Sequence, residues 1–158
     1  MRPSLATGFS FGLTSGVITT LGLMVGLYAG TRSQSVVIGG ILTIAIADAM
    51  SDAMGIHIAE ESKNSRTERE IWESTAATFL TKFGVALAFV VPVLALPLRV
   101  AIVASIIWGL ALLAVLSFVL ARMQRLSPWK VIVEHVMIGI AVITATHYVG
   151  DWIGARFG

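Results

Sequence analysis

Five long apolar stretches, separated by short polar breaks, set the pattern of the chain; they cover residues 5–30, 36–59, 75–96, 100–120 and 131–153. Each has about 20 residues or more, the length that an α-helix needs to cross the ~30 Å hydrocarbon core of a bilayer. A segment surrounded by lipid must satisfy its own backbone hydrogen bonds, so the stretches predict helices. We therefore expect an all-α membrane protein, a single domain of five transmembrane helices over residues 1–158.

The polar breaks indicate how the helices are oriented. The longest break, residues 60–73, contains five glutamates and three basic residues and predicts helical extensions that project into water. Seven Lys and Arg residues fall on the side of the N-terminus and this break, and three fall on the other side. Because basic residues concentrate in cytoplasmic loops, we expect the N-terminus and residues 60–73 in the cytoplasm and the C-terminus outside.

Composition supports the membrane interpretation. Of the 158 residues, 56% are hydrophobic and 13% are charged, against roughly 45–50% and about 25% in soluble domains. The absence of cysteine excludes disulfides, thiolate zinc sites and thiol catalysis. The net charge of +2 is spread between the apolar stretches rather than clustered, which argues against nucleic-acid binding.

Glycine recurs at every fourth position of the first stretch, at Gly8, Gly12 and Gly16. Small residues at this spacing let two helix backbones approach closely in lipid. The spacing suits packing within one subunit as well as a seam between two copies. Because five short helices enclose little volume, we expect a homodimer with its seam at these glycines and an ion path at or near it.

Two carboxylates lie in the middle of the second helix, at Asp48 and Asp52. Each ionisable group inside a span costs about 2.5–3.5 kcal/mol on insertion scales, so such residues point to function. Positions four apart share one stripe of a helix, which places both carboxylates together. Counting 1.5 Å per residue, Ser15 falls near the level of Asp48, and Lys82 falls near that of Asp52. Lys82 could also neutralise Asp52 in a purely structural pair.

A second stripe of the same helix holds Met50, Met54 and His57 on roughly the opposite side. Carboxylates supply hard oxygen ligands, whereas thioether and imidazole groups suit softer transition metals. Together with Asp48, Asp52 and Ser15, these residues form the predicted transport site for a metal ion. The methionines would alternatively only fill gaps between helices.

Polar residues nearer the two faces would extend this path. At the cytoplasmic end, the residues expected to concentrate cations are Glu60, Glu61, Glu68, Glu70 and Glu73, unless they form only a solvated face. At the outer end, His147 and Asp151 share a stripe and form either part of the path or an ordinary interfacial pair. With Ser15 they also supply the residue types of a serine hydrolase. No nucleophile elbow or zincin motif accompanies them, so we do not expect an enzyme.

Four segments, on the first, second and fifth predicted helices, resemble one known family, the vacuolar iron transporter family. Residues 12–22, Gly-Leu-Thr-Ser-Gly-Val-Ile-Thr-Thr-Leu-Gly, are similar to its first-helix signature, and Ala-Asp-Ala-Met-Ser at 47–51 is similar to its second helix. Ser-Pro-Trp at 127–129 and Tyr-Val-Gly at 148–150 resemble its fifth. The resemblance, to a small prokaryotic-type member, implies a homodimer in the cell (inner) membrane. It also implies a protein that carries Fe²⁺ or Mn²⁺ out of the cytoplasm in exchange for protons, with no permanently bound cofactor.

The sequence departs from that family at the residues of most interest. Family members usually carry an aspartate where this chain has Ser15, and a methionine where it has Asp52. The usual glutamate and tyrosine are Ile56 and His57, and the family's separate cytoplasmic metal-binding domain is reduced to residues 60–73. We therefore expect the transport carboxylate to have moved from the first helix to the second. Two other functions stay open: a membrane-embedded metal-binding or regulatory protein without turnover, and a transporter of another cation.

Overall fold

The structure, a computed structural model, describes residues 2–63 and 65–158. Within those residues it contains five α-helices and no β-strand: α1 (Pro3–Thr31), α2 (Gln34–Glu61), α3 (Glu68–Ala95), α4 (Leu98–Met123) and α5 (Pro128–Phe157). All five are long and apolar enough to cross a membrane. The prediction of an all-α fold with five helices that can span a membrane is confirmed for the described residues.

All five helices are longer than the apolar stretches that predicted them, and the largest shift of a helix end is at the start of α3. It begins at Glu68 because Thr67 and Glu70 form a capping box. The Thr67 hydroxyl accepts from the amide of Glu70, and the Glu70 carboxylate accepts from the amide of Thr67 at 3.0 Å. The break expected over residues 60–73 is therefore mostly helical, and the connection between α2 and α3 spans only residues 62–67.

The first helix lies at the centre of the bundle, since α1 packs against all four other helices. α2 packs on α3, and α4 packs on α3 and α5. The start of α1 meets the start of α3, where Arg2 pairs with Glu73. The end of α1 meets the end of α5, where Arg32 pairs with Asp151. The two chain ends therefore lie at opposite faces of the bundle, called here the N-terminal face and the C-terminal face.

The glycine stripe of α1 is used inside the chain. Gly8, Gly12 and Gly16 are buried against α3. A Cβ atom at Gly12 would lie 2.8 Å from the carbonyl oxygen of Thr78, and one at Gly16 would lie 3.3 Å from Cγ of Lys82. The prediction that these glycines form a dimer seam is wrong, because α3 of the same chain already covers them. The spacing of these glycines predicted that another helix would pack closely against α1, but it did not indicate which helix.

Candidate functional site

The most deeply buried charge in the described residues is the ammonium group of Lys82, a residue only 2% exposed. It lies near the middle of α3, about 20 Å from either end at 1.5 Å per residue. Its Nζ atom is 2.6 Å from Oδ2 of Asp48 and forms a second ion pair with Oδ2 of Asp52. It also donates to the hydroxyl of Ser15 at 2.9 Å. Residues from α1, α2 and α3 thus meet around one lysine; we call these four residues the Lys82 cluster.

The local sequence explains how the cluster forms. Asp48 and Asp52 lie one turn apart on α2, so both carboxylates face the same side of that helix. On α1, Gly16 leaves space where a side chain would stand, and the Cγ atom of Lys82 occupies the adjoining position. The lysine stem can therefore lie between α1 and α3 while its charged end reaches α2. The glycine stripe thus serves the site as well as the packing.

The two aspartates are held in different ways. Oδ2 of Asp52 accepts a hydrogen bond from the Ser15 hydroxyl at 2.7 Å and a second from Lys82. Oδ2 of Asp48 is buried and, within residues 2–63 and 65–158, receives no hydrogen bond of acceptable geometry. Its short distance to Lys82 is therefore an ion pair without a directed hydrogen bond. Asp52 is the more firmly oriented carboxylate, and Asp48 has spare capacity to accept a donor or a cation.

Charge and exposure show what the cluster can do. With both carboxylates and the lysine ionised, its charges of −2 and +1 sum to −1. The side chains of Asp48 and Asp52 are 27% and 24% exposed, whereas that of Lys82 is 3% exposed. The carboxylates can therefore be reached from outside the three helices, and the lysine lies behind them. The donors on offer are carboxylate and hydroxyl oxygens, which suit hard cations.

The softer donors predicted for the site lie elsewhere. Met50 and Met54 are exposed on another face of α2. His57 bonds through Nδ1 to the hydroxyl of Thr75 at 3.0 Å and packs edge-on against Trp72 with ring centres 4.7 Å apart. Over the described part of the chain, no three His, Asp or Glu side chains are placed to hold one metal ion. Of the residues predicted for the site, the structure brings Asp48, Asp52 and Ser15 together and leaves Met50, Met54 and His57 apart from them.

The acidic residues predicted at the cytoplasmic mouth lie at the N-terminal face, and three of them hold the fold together. Glu60 is buried and forms ion pairs with Lys63 at 2.7 Å and Arg66 at 3.0 Å. Glu73 pairs with Arg2 and accepts a hydrogen bond from Ser4 at 2.9 Å. The third, Glu70, forms the capping box that starts α3. The remaining two, which are exposed, are Glu61 and Glu68.

The outer residues form a small surface cluster of their own at the C-terminal face. Nε2 of His147 lies 3.3 Å from Oδ2 of Asp151, and Nη2 of Arg32 lies 3.5 Å from the other carboxylate oxygen. The guanidinium of Arg32 also stacks over the ring of Tyr28, 4.4 Å from its centre. Both acidic and imidazole side chains are about half exposed. This geometry is that of an interfacial pair, the alternative that the sequence left open.

One polar pair inside the bundle was missed by sequence reasoning. Nδ1 of His135 on α5 lies 2.8 Å from the buried hydroxyl of Ser117 on α4. The same hydroxyl donates to the carbonyl of Leu113 at 2.7 Å, so the imidazole must supply the proton between them. The two residues are far apart in sequence, and only their polarity inside apolar stretches could have suggested the pair.

Comparison with protein-family models gives no match, and comparison with curated proteins gives none either. The resemblance to vacuolar iron transporters therefore stays a prediction. What the chain does must be inferred from the geometry around Lys82.

Proposed function

We propose that this protein carries a divalent metal cation across the membrane, bound between Asp48 and Asp52 in place of the Lys82 ammonium group. The observation that supports the proposal is a single lysine paired with two carboxylates in the middle of the membrane-spanning helices. Ionisable groups in a span are costly and are retained mainly for ion pathways, proton relays or counter-ions. In this proposal Lys82 is an internal cation that fills the site when no substrate is bound.

Charge balance favours a divalent substrate. If the lysine moves away or loses its proton, Asp48 and Asp52 leave a charge of −2, which one divalent ion neutralises. A monovalent ion in place of the lysine would only restore the net charge of −1 that the cluster already has with Lys82, whereas a divalent ion brings the charge to zero. If Lys82 loses its proton as the metal binds, each ion carried releases a proton, and metal movement is coupled to proton movement.

Ligand chemistry narrows the class of metal. Carboxylate and hydroxyl oxygens suit Mn²⁺, Mg²⁺ and Ca²⁺ better than the softer transition metals. Of the two ions that the family resemblance implies, Mn²⁺ therefore fits the Lys82 cluster better than Fe²⁺. We take Mn²⁺ as the test substrate.

The remaining parts of the proposal concern direction and assembly. The excess of Lys and Arg at the N-terminal face supports a cytoplasmic location for that face. Export from the cytoplasm would then begin at this face, where the exposed Glu61 and Glu68 can attract cations weakly. The homodimer in the cell membrane belongs to the same proposal. Its seam must lie on a surface other than the glycine stripe of α1.

The experiment is Mn²⁺ flux into liposomes that contain the purified protein, measured with and without a pH gradient. Asp48→Asn and Asp52→Asn should each abolish flux while the protein stays folded in detergent. Asp151→Asn removes a carboxylate from the surface pair at the C-terminal face and serves as the matched control. We expect this variant to retain flux. A pH gradient should drive flux if the exchange involves protons.

A structural role for the lysine predicts a different pattern. In that case Asp52→Asn lowers stability by leaving Lys82 without its hydrogen-bonded partner, and the double change with Lys82→Met restores both fold and flux. Restored flux in the double variant would remove Asp52 from the transport site. Metal binding without flux in the wild-type protein would instead indicate a binding or regulatory protein, and flux of Na⁺ but not Mn²⁺ would indicate a monovalent transporter.

A further inference from the structure

The connection between α4 and α5 contains an arginine in a conformation that favours glycine. The amide of Leu126 donates to the carbonyl of Ala121 at 2.9 Å, and the amide of Arg125 donates to the carbonyl of Arg122 at 3.4 Å. These two hydrogen bonds define a Schellman motif, in which the residue after the C-cap is left-handed and usually glycine. Here that residue is Arg125, with φ of 57°. Its side chain is retained at a position where the backbone disfavours one.

A second arginine with the same conformation provides an internal comparison. Within the described residues, Arg32 and Arg125 are the two non-glycine residues with positive φ, and both end a helix at the bundle surface. Arg32 has partners, since it pairs with Asp151 and stacks on Tyr28. Arg125 has no carboxylate within 4.0 Å in the part of the chain that the structure describes. The strained position of Arg125 is therefore not explained by a contact inside the protein.

Two more cations flank Arg125 without an ion-pair partner among residues 2–63 and 65–158, namely Arg122 and Lys130. Arg122 lies in the last turn of α4, where a positive charge suits the helix dipole. Lys130 lies in the first turn of α5, where the dipole disfavours a positive charge and no acidic residue offsets it. Glu134 follows one turn later on α5. Arg125 thus has a backbone conformation that disfavours a side chain, and Lys130 has a position where the helix dipole disfavours a positive charge.

Large apolar side chains alternate with these cations. Met123, Leu126 and Trp129 are all exposed, and Trp129 is 74% exposed. A Schellman motif is commonly closed by an apolar contact from the position that Leu126 holds. Here, however, Leu126 is 52% exposed. Tryptophan is favoured at the boundary between headgroups and hydrocarbon. The turn therefore presents positive charge and apolar surface side by side at membrane-interface height.

We propose that the turn formed by residues 122–130 binds the phosphate-bearing headgroup of an anionic membrane lipid. Arg122, Arg125 and Lys130 would contact the phosphate, and the exposed Leu126 and Trp129 would enter the adjoining acyl region. Free phosphate would use the cations alone and would leave the apolar side chains in water. The exposure of Leu126 and Trp129 beside the three cations is the observation that favours a lipid as the occupant.

The test measures phosphatidylglycerol binding to the purified protein in detergent by native mass spectrometry, with phosphatidylcholine of the same chains for comparison. The test variant combines Arg122→Gln, Arg125→Gly and Lys130→Gln. Since glycine suits the left-handed position, Arg125→Gly should not weaken the fold. The control variant combines Arg99→Gln and Arg156→Gln at the C-terminal face. We expect at least about tenfold weaker phosphatidylglycerol binding in the test variant and wild-type binding in the control.

Thermal unfolding of the same samples separates lipid binding from folding. The test variant without lipid should unfold at the wild-type temperature or slightly above it, and only the stabilisation by added phosphatidylglycerol should be lost. Equal phosphatidylglycerol binding in wild type and test variant would overturn the proposal. So would equal stabilisation by inorganic phosphate or by phosphatidylcholine, because neither offers an anionic headgroup joined to acyl chains.

Discussion

Replacing Gly12 by alanine tests the packing that places α1 against α3. The added Cβ atom would lie 2.8 Å from the carbonyl oxygen of Thr78 and 3.1 Å from Cβ of Thr81. The first neighbour is backbone, so it cannot rotate away and the two helices must separate. Gly84 on α3 is the matched control, because a Cβ atom there would meet nothing within 4 Å.

The magnitude follows from two opposing effects. Alanine is favoured over glycine in a helix interior by up to about 1 kcal/mol, and both variants receive this gain. Only Gly12→Ala adds the cost of overpacking a close interface, typically about 1–3 kcal/mol. The free energy of unfolding should therefore be about 1–3 kcal/mol lower for Gly12→Ala than for Gly84→Ala.

Thermal unfolding in detergent and a mass measurement of the native particle provide the assay. We expect Gly12→Ala to unfold at a lower temperature than Gly84→Ala, with no selective loss of the oligomer before unfolding. The reasoning is refuted if Gly12→Ala unfolds like Gly84→Ala while converting a dimer to a monomer. That pattern would mean that the glycine stripe faces a second copy of the chain.

Two further predictions concern the N-terminal face. Thr67→Ala removes the cap of α3 and should lower the free energy of unfolding by about 1 kcal/mol, whereas Thr67→Ser keeps the hydroxyl and should leave thermal unfolding unchanged. Glu60→Gln removes the charge that holds Lys63 and Arg66 and should cost about 1–3 kcal/mol. Limited proteolysis should then cut the connection at residues 62–67 faster than in the wild type. Unchanged cleavage would show that these ion pairs do not hold the connection in place.

The number and type of helices could be predicted from the sequence because a lipid solvent leaves few alternatives. An apolar stretch of about 20 residues has to satisfy its own backbone, and this constraint acts within each stretch. The start of α3 lay outside the apolar pattern, since Thr67 and Glu70 extend the helix through local hydrogen bonds rather than through burial. The capping box was present in the sequence as Thr-Glu-Arg-Glu and would have located the start.

The site was only partly predictable. Helical spacing placed Asp48 and Asp52 on one stripe, and depth placed Ser15 near the level of Asp48 and Lys82 near that of Asp52; in the structure Ser15 and Lys82 both bond to Asp52. Spacing within one helix cannot say which helix lies opposite. The glycine stripe of α1 was therefore predicted to face a second copy of the chain, whereas it packs against α3. Spacing had already placed the methionines on another stripe of α2, so their grouping with the carboxylates rested on metal-ligand chemistry and not on geometry.

The central position of α1 has a consequence for biosynthesis. α1 is made before the other four helices, yet it is covered by α3 near Gly12 and by α5, which follows α4, near Gly26. During synthesis the part of α1 around Gly26 must therefore remain in contact with lipid or with the insertion machinery until α5 emerges. A chain that stops before α5 should be degraded faster in cells than the full chain, as a pulse-chase measurement would show. α5 thus completes the packing around α1, and quality control can act on chains that lack it.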